Sequence, residues 1–367
     1  MLFLREILFI LHYKAITYMT HRKKICFVAG GSGGHIIPCI TLAYKTRLVD
    51  PEASFLIFTG NTELELAIVK ASTTPLKHFK LNFKTPPYAR LYMLPIWLMT
   101  FLWAFVRSVY LLVKEKPTEI ITTGSHIALP VCIAGWFLRI PITMYELNVE
   151  PGKTTRFLAP FATTIKISFP QTAVHFSKKK CVLEDYPVKF IEKEKHHDIP
   201  FLRSKLNIAP SKKVILVLGG SQGSIFLNSI MPHMFATHPA LKEVLHVVHQ
   251  TGAIDPTDWR NWYYDRGISS HVFAYSNEIL LWYVLADLII CRSGAGTLAE
   301  AMFFGKPCIT IPLETKANDH QRANALAYEE QYPETFKVIR QGETGRAERY
   351  IIKLLGLEAY ASQQSDL

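Results

Sequence analysis

The sequence predicts an α/β protein made of two doubly wound domains, each built on a parallel sheet. Short apolar runs alternate with helix-length segments, as βαβ units require. The alternation then restarts near the middle of the chain with a second apolar run that ends in two glycines. The length of 367 residues and the hydrophobic content of 49% are sufficient for two separate cores.

The first domain is predicted from four strand-like runs. They are KICFVAGG (24–31), SFLIFTG (54–60), EIITTGS (119–125) and PITMYELN (141–148). Helix-length segments lie between them, for example at 36–48 and 126–138. Continuous apolar runs of this kind indicate parallel strands whose two faces are both covered by helices.

The second domain repeats the pattern. Its strand-like runs are KKVILVLGGSQGS (212–224), EVLHVVHQTG (243–252), SHVFAYS (270–276), DLIICRSG (287–294) and PCITIPL (307–313). We therefore predict an N-terminal extension (1–22), a first domain (23–188), a second domain (189–345) and a C-terminal helix and tail (346–367). Doubly wound domains bind ligands at the carboxyl ends of their strands, so two facing domains would form a cleft.

The cysteines and the N-terminal segment further limit the class of protein. Six scattered cysteines without a CxxC pair indicate reduced thiols, and neither a disulfide framework nor a metal site is predicted. Residues 1–19 lack the unbroken apolar run and the cleavage site of a secretory signal. They are either an amphipathic surface helix or the product of an upstream start codon, with Met19 as the true beginning. We favour the second.

The charge is unevenly distributed. Residues 1–188 carry 22 Lys and Arg against 11 Asp and Glu, whereas the remaining residues balance. Such an excess of positive charge is typical of proteins that bind an anionic partner, either nucleic acid or a membrane surface. It can also serve solubility alone. No nucleic-acid-binding module is recognisable, so nucleic acid is not expected as a partner.

The stretch 91–113 is the most apolar part of the chain. Its uninterrupted run, between Arg90 and Arg107, has 16 residues and contains Pro95, which we interpret as too short and too broken to span a bilayer. An apolar segment with a basic fringe is typical of a helix lying in a membrane interface. We predict that Arg90, Trp97, Trp103 and Arg107 face the membrane. The alternative is an ordinary core helix.

Four glycines and a histidine in GGSGGHIIP (30–38) form the first candidate binding loop. The spacing fits neither the dinucleotide fingerprint nor a P-loop. Bare backbone before a helix nevertheless allows a ligand to approach N–H groups, and the helix dipole favours an anion there. The alternative is a tight turn without a ligand. LGGSQGS (218–224) repeats the arrangement at the head of the second domain.

The most specific signal is CRSGAGTLAEAMFFGKPCITIPL (291–313), followed by DHQRANA (319–325). SGAGT opens a helix and offers N–H donors for phosphate oxygens. Glu300 follows on that helix, where its carboxylate could accept two hydrogen bonds from a ribose diol. The loop beyond delivers His320 and Gln321.

Together, GGSGGHIIP, GGSQGS, RSGAGTLAE and DHQRANA resemble the MurG family in order and spacing, over residues 24 to 326. The resemblance implies a GT-B fold, two Rossmann-like domains facing across a cleft. It also implies an inverting hexosyltransferase that moves N-acetylglucosamine (GlcNAc) from UDP-GlcNAc to undecaprenyl-pyrophosphoryl-MurNAc-peptide (lipid I). The product is lipid II, the peptidoglycan precursor. No cofactor or metal is expected.

The resemblance also implies roles for individual residues. His35 is the candidate base, and Glu146, in the segment MYELN, is the second implied catalytic residue, near the sugar and acceptor. Tyr145 replaces the histidine usual in this segment, and Ser125-His126 replaces the usual Gly-Tyr, so acceptor contacts there depart from the family. The implied donor-binding residues are Ser32, Gly33, Gly34, Asn148, Lys189, Gly220, Ser221, Gln222, Arg292, Ser293, Gly294, Ala295, Thr297, Glu300, His320 and Gln321.

The implied partners are UDP-GlcNAc, lipid I, the anionic surface of the inner membrane at its cytoplasmic face, and proteins of wall synthesis and division. Two alternatives stay open. One is a GT-B transferase with a different glycolipid acceptor. The other is a nucleotide-sugar-binding protein whose catalysis is degraded, as the departures at 125–126 and 145 would allow.

Overall fold

The computed structural model describes residues 23–85, 91–220, 223–276, 278–314 and 320–361. The predicted N-terminal extension lies outside these ranges. The chain divides into two compact units, Met1–Lys189 and Phe190–Leu367. This division lies one residue beyond the boundary expected from the sequence.

The described residues of the first unit form a seven-stranded parallel sheet in the order β3-β2-β1-β4-β5-β6-β7. The strands β1 to β7 are Lys24–Val28, Ser54–Thr59, Lys77–Lys80, Glu119–Thr122, Ile142–Glu146, Thr164–Ile167 and Cys181–Leu183. The helices α1 to α5 are Gly33–Val49, Glu63–Lys70, Leu94–Glu115, Ala128–Phe137 and Lys153–Leu158. Short 3₁₀ turns lie at Leu91–Met93, Ala159–Phe161, Pro170–His175 and Lys178–Lys180.

Both faces of the first sheet are buried. Alternate residues of β1 point to opposite faces, so Cys26 and Val28 join the core beneath α3 and α4, whereas Ile25 and Phe27 join the core beneath α1. All four side chains are at most 1% exposed. Burial on both faces explains why the strands appear in the sequence as continuous apolar runs.

The described residues of the second unit form a six-stranded parallel sheet in the order β10-β9-β8-β11-β12-β13. The strands β8 to β13 are Lys213–Leu218, Leu245–Gln250, Ser270–Phe273, Leu288–Cys291, Cys308–Thr310 and Phe336–Val338. The helices α6 to α13 are Ile199–Lys205, Ile225–Thr237, Trp259–Tyr264, Ile279–Leu285, Ala295–Phe303, His320–Gln331, Thr344–Leu355 and Glu358–Ala361. The 3₁₀ turns are Glu192–Lys195 and Pro239–Glu243.

The C-terminal helix is part of the second unit. It begins at Thr344 and ends at Leu355, with Gly356 in the left-handed conformation as its cap. Ala347 and Ile351 are at most 1% exposed and pack in the same core as β8 and β9. The described part of the segment predicted as a separate helix and tail therefore contributes to a hydrophobic core of the second unit.

Each sheet reverses its strand order once. In the first unit the reversal lies between β1 and β4, and in the second between β8 and β11. The loops that follow these two pairs of strands leave in opposite directions, which opens a crevice at the carboxyl edge of the sheet. Both predicted glycine loops follow the first strand of such a pair.

Helix α3 differs from its prediction. It has 22 residues, because Pro95 stands in the first turn, where a missing N–H and a fixed φ are tolerated, and does not interrupt the helix. Among the described residues it alone is long and apolar enough to cross a membrane by length and composition. Its last turns pack on the protein: Leu112 is fully buried, and Glu115 pairs with Lys24 and Lys77 at 3.2 and 2.6 Å.

Candidate active site

The first glycine loop leads directly from β1 into α1. The helix begins at Gly33, three residues before the predicted helix-length segment 36–48, with Ser32 as an N-cap whose side chain makes no capping hydrogen bond. The N–H groups of the first helical turn have no partner within a helix. Ser32, Gly33 and Gly34 therefore form a short run of donors beside the crevice, at the positive end of the helix dipole.

His35 lies in the first turn of α1 and is held by the loop after β4. Its Nδ1 lies 2.8 Å from the carbonyl oxygen of Thr123, and the Thr123 hydroxyl donates to the His35 carbonyl at 2.8 Å. Because a carbonyl only accepts, Nδ1 must carry the proton and the lone pair of the neutral ring is on Nε2. This tautomer suits a general base.

The departure at Ser125-His126 lies on the same loop. Ser125 has φ 78°, a left-handed conformation that is strained for a residue with a side chain. Its hydroxyl oxygen is buried without a hydrogen-bond partner in the described part of the chain. Burial lowers the pKa of the neighbouring His126 below its usual range. The residue pair that departs from the family thus carries a polar atom that a ligand could satisfy.

Glu146 ends β5 and is 3% exposed. Its Oε1 accepts from the backbone N–H of Asn148 at 3.0 Å and from the Asn148 side chain at 3.3 Å. Burial raises the pKa of Glu146, although these hydrogen bonds oppose the shift. The carboxylate thus holds the turn that follows β5, and its predicted catalytic role stays a prediction.

Tyr145, which replaces the expected histidine, points to the opposite face of β5 and is 4% exposed. Its hydroxyl lies 3.0 Å from Glu184 and accepts from Lys166 at 2.9 Å. Lys166 and Glu184 also pair at 2.6 Å. Tyr145 therefore links β5 to β6 and to the residue after β7. The histidine expected at this position is not needed for this structural role.

The second glycine loop follows β8, and of its predicted residues Ser221 and Gln222 lie outside the described ones. Gly220 has φ 84° and Gly223 has φ 88°, conformations that favour glycine. A Cβ at Gly223 would lie 2.2 Å from the carbonyl oxygen of Thr251. The loop is therefore glycine-rich partly because it packs closely on the loop after β9.

Arg292 joins the three loops of the second crevice. Its Nε and Nη2 donate to the hydroxyl of Ser224, the N-cap of α7, at 3.1 and 2.8 Å. Its Nη1 donates to the carbonyl oxygens of Ile311 and Pro312 at 3.1 and 3.2 Å. The predicted donor-binding arginine thus braces the start of α7 while keeping a positive charge there.

Helix α10 starts at the same edge of the sheet. Gly294 is its N-cap and Ala295 its first residue, with Thr297 in the first turn. Ser293 is fully buried, and its hydroxyl lies 2.7 Å from that of Thr310. Two helix N-termini, those of α7 and α10, therefore adjoin this crevice, an arrangement suited to a diphosphate.

Glu300 lies in the second half of α10, where the buried Tyr283 hydroxyl donates to its Oε2 at 2.8 Å. This bond sets the orientation of the carboxylate. Gln321 and His320 lie at the start of α11, and Oε1 of Gln321 accepts from the N–H of Leu313 at 2.9 Å. Lys189 is exposed and ends the first unit. Among the described residues, the second crevice thus gathers Gly220, Arg292, Ser293, Gly294, Ala295, Thr297 and Glu300.

A buried polar network lies beneath the second glycine loop. His249 is fully buried on β9, with Nδ1 3.1 Å from the Tyr263 hydroxyl and Nε2 3.0 Å from the Asn228 side-chain oxygen. Asn228 in turn donates to the carbonyl oxygen of Thr251 and to Asp255, at 3.1 and 2.8 Å. We did not predict this network from the sequence, although a polar residue, Asn228, inside an apolar helix was a visible signal.

The network predicts how stability depends on pH. Burial lowers the pKa of His249 from 6.5 to about 4. The unfolded chain therefore takes up this proton at higher pH than the folded unit. The contribution of neutral His249 to the free energy of unfolding is fully present above pH 6.5. It is lost as the pH falls from 6.5 towards about 4.

In His249→Gln, the decline in unfolding free energy between these pH values should be shallower by up to about 1.4 kcal/mol per pH unit. Urea titrations at several pH values, followed by hydrogen exchange of β9 amides, measure it. Equal pH slopes for the two proteins would contradict this assignment.

An apolar surface lies along α3 and the neighbouring helices; we call it the α3 surface. Trp103 is 51% exposed, and the Arg107 guanidinium lies over its ring at 5.1 Å. Trp97 instead points inward, stacking on Phe101 at 5.7 Å and donating to the Lys84 carbonyl at 3.0 Å. Arg90 lies outside the described residues. The exposed apolar members of the surface are Ile96, Leu98, Met99, Leu102, Trp103, Val106, Tyr110, Trp136 and Phe137.

Comparison with known proteins defines the class. Residues 25–167 match the glycosyltransferase family 28 N-terminal domain, and residues 214–341 match the glycosyltransferase family 28 C-terminal domain. The crystal structure of Acinetobacter baumannii MurG matches with a TM-score of 0.67 and 23% identity, covering 93% of this chain and 95% of that one. The fold is therefore GT-B, as predicted, and the class is that of the glycosyltransferases.

Curated relatives narrow the class. A protein of Myxococcus xanthus is 32% identical over 83% of this chain and 77% of its own length. A protein of Geotalea uraniireducens is 30% identical over 83% of this chain and 82% of its own. Both are named UDP-N-acetylglucosamine–N-acetylmuramyl-(pentapeptide) pyrophosphoryl-undecaprenol N-acetylglucosamine transferase. The chain belongs to the MurG family of these transferases, which confirms the resemblance and the enzyme class expected from the sequence.

Proposed function

We propose that the chain transfers GlcNAc from UDP-GlcNAc to lipid I, with inversion at the anomeric carbon, and so forms lipid II. The observation that carries this proposal is the match, over 83% of the chain, to transferases named for this reaction. The local geometry supports it, because each unit has a glycine loop at the point where ligands bind in a doubly wound domain.

On the donor side, the N-termini of α7 and α10 and the charge of Arg292 would stabilise the diphosphate of UDP as it leaves. Glu300, oriented by Tyr283, would accept hydrogen bonds from the ribose hydroxyls. The two helix N-termini and Arg292 supply positive potential from the protein itself, which supports the proposal that the reaction needs no metal or cofactor.

On the acceptor side, Nε2 of His35 would take the proton of the acceptor hydroxyl. The hydroxyl oxygen then forms a bond to the anomeric carbon while the bond from that carbon to the UDP oxygen breaks. UDP leaves with the electron pair, and a single displacement inverts the configuration. The hydrogen bond from Nδ1 to Thr123 would keep the ring oriented throughout.

A different glycolipid acceptor is the second candidate, and the departure at Ser125-His126 favours it. Release of UDP from UDP-GlcNAc should be measured with and without a short-chain lipid I analogue, and with other glycolipids, in excess EDTA. Release that depends on the lipid I analogue supports the proposal. Release with another glycolipid alone assigns a different acceptor, and donor binding without release indicates degraded catalysis.

We further propose that the enzyme lies on the cytoplasmic face of the inner membrane, held there by the α3 surface. Two basic side chains lie over aromatic rings of this surface: Arg107 over Trp103 and Lys114 over Tyr110, where the ammonium is 5.9 Å from the ring centroid. Such a surface fits the boundary between headgroups and acyl chains. Proteins of wall synthesis and division at that membrane are the partners we propose.

Replacing Trp103 with Glu should reduce binding to vesicles that contain anionic lipid by about tenfold, because an exposed aromatic anchor is lost and a negative charge added. Sedimentation with vesicles of phosphatidylglycerol and phosphatidylcholine measures it. Tyr264→Glu is the matched control, since Tyr264 is 80% exposed on the second unit. An equal loss of vesicle binding in the two variants would mean that the added negative charge alone weakens binding, without a specific role for the α3 surface.

A further inference from the structure

A buried carboxylate outside the predicted site contacts the first glycine loop. Glu65 lies in the first turn of α2 and is 1% exposed. Its Oε1 accepts from the N–H of Gly31 at 2.7 Å and from the N–H of Gly60 at 3.2 Å. Its Oε2 accepts from the N–H and the hydroxyl of Thr62 at 2.9 and 2.8 Å. One side chain thus joins the loop after β1 to the loop after β2.

Glycines on both loops leave space for this carboxylate. A Cβ at Gly60 would lie 2.5 Å from Oε2 and 2.8 Å from Oε1 of Glu65. A Cβ at Gly30 would lie 2.7 Å from Cγ1 of Ile127 and 2.9 Å from Oε1 of Glu65. A side chain at Gly60 would therefore displace the carboxylate, and one at Gly30 would clash with both Ile127 and the carboxylate. Part of the bare backbone in the first loop therefore accommodates an internal anion.

Glu65 is charged in the folded protein. Burial acts to raise its pKa, but hydrogen bonds from Gly31, Thr62 and Gly60 outweigh it and hold the pKa below its usual range. The carboxylate also lies at the positive end of the α2 dipole. A charged acceptor holds a backbone N–H more strongly than a neutral one does.

The hydrogen bond from Gly31 to Glu65 affects the position of His35. Gly31 adopts φ 80°, Ser32 follows as the N-cap, and α1 with His35 in its first turn begins at the next residue. Thr123 holds His35 at the other end of this short segment. The donors of Ser32, Gly33 and Gly34 therefore lie between two fixed points, Gly31 and His35.

We propose that Glu65 is a positioning residue for the transfer reaction: by fixing Gly31 it holds the start of α1, and with it the His35 imidazole, in the reactive arrangement. The competing explanation is that Glu65 only caps α2, because Thr62 and Glu65 also form a capping box. The proposal rests on the proposed function for its activity readout, but not for its structural one.

Two readouts test it: amide hydrogen exchange at Gly31, and kcat with the lipid I analogue at saturating UDP-GlcNAc. In Glu65→Gln an amide group replaces one acceptor oxygen and faces N–H donors. We expect Gly31 exchange to accelerate and kcat to fall, each by about tenfold or more, with unchanged affinity for UDP-GlcNAc. Gly60→Ala should accelerate Gly31 exchange and lower kcat in the same way although Glu65 itself is not substituted, because the added Cβ would displace the carboxylate.

Two controls separate the explanations. Thr62→Ala removes the cap but leaves the bond to Gly31, and Glu63→Gln removes an exposed charge from the same helical turn. Both should stay within about twofold of the unmodified enzyme, since neither loses the Gly31 bond. Equal losses in Thr62→Ala and Glu65→Gln, or normal Gly31 exchange in Glu65→Gln, would overturn the proposal. If the unmodified enzyme does not glycosylate lipid I, the proposed function fails while Gly31 exchange still decides the role of Glu65.

Discussion

Replacing His35 with Ala is expected to lower kcat for transfer to the lipid I analogue by about 100-fold or more, with UDP-GlcNAc affinity within about twofold. The reason is loss of the base whose Nε2 lone pair the Thr123 bond defines. Steady-state kinetics with the analogue, together with calorimetric titration of UDP-GlcNAc, measure both quantities.

His35→Asn separates base chemistry from loop geometry. The asparagine amide can still donate to the Thr123 carbonyl but cannot take a proton at neutral pH. It should be as inactive as His35→Ala. His197→Ala, at an exposed histidine of the second unit, should retain full activity. Unchanged kcat with weakened UDP-GlcNAc binding in His35→Ala would instead assign His35 to donor positioning.

Replacing Glu300 with Ala is expected to weaken UDP-GlcNAc binding by about 100-fold, because two hydrogen bonds from the ribose to a charged acceptor are lost. Calorimetric titration measures the change, and thermal unfolding checks that the unit stays folded without the partner of Tyr283. Glu334→Ala, at an exposed carboxylate of the same unit, should bind normally.

A donor analogue makes the Glu300 test specific. UDP-GlcNAc lacking both ribose hydroxyls should bind the unmodified enzyme much more weakly than UDP-GlcNAc does. It should bind Glu300→Ala about as well as UDP-GlcNAc does, because the partner of those hydroxyls is already gone. An equal penalty in both proteins would mean that Glu300 does not contact the ribose.

The sequence predicted those strands whose apolar side chains are buried on both faces, such as β1 and β8. It missed β3, β6, β7 and β13, which have three or four residues each and, in β3, β6 and β13, carry lysines. Strands this short acquire their conformation from pairing with a neighbour, and pairing is not visible in a local pattern.

The same distinction applies to the site. Glycine loops and the start of α10 were predictable because glycine and helix-opening residues act locally. The contacts of Glu65 with Gly31 and of Tyr283 with Glu300 join residues 34 and 17 positions apart. Trp97 was expected to face the membrane, but its orientation depends on Phe83 and Phe101, which the fold brings beneath it.

The most direct test of the assigned reaction is the mass and anomeric configuration of the product formed from UDP-GlcNAc and a short-chain lipid I analogue. We expect a product heavier than the acceptor by one GlcNAc residue, with the configuration inverted relative to the donor. A retained configuration, or release of free GlcNAc with the acceptor unchanged, would contradict it.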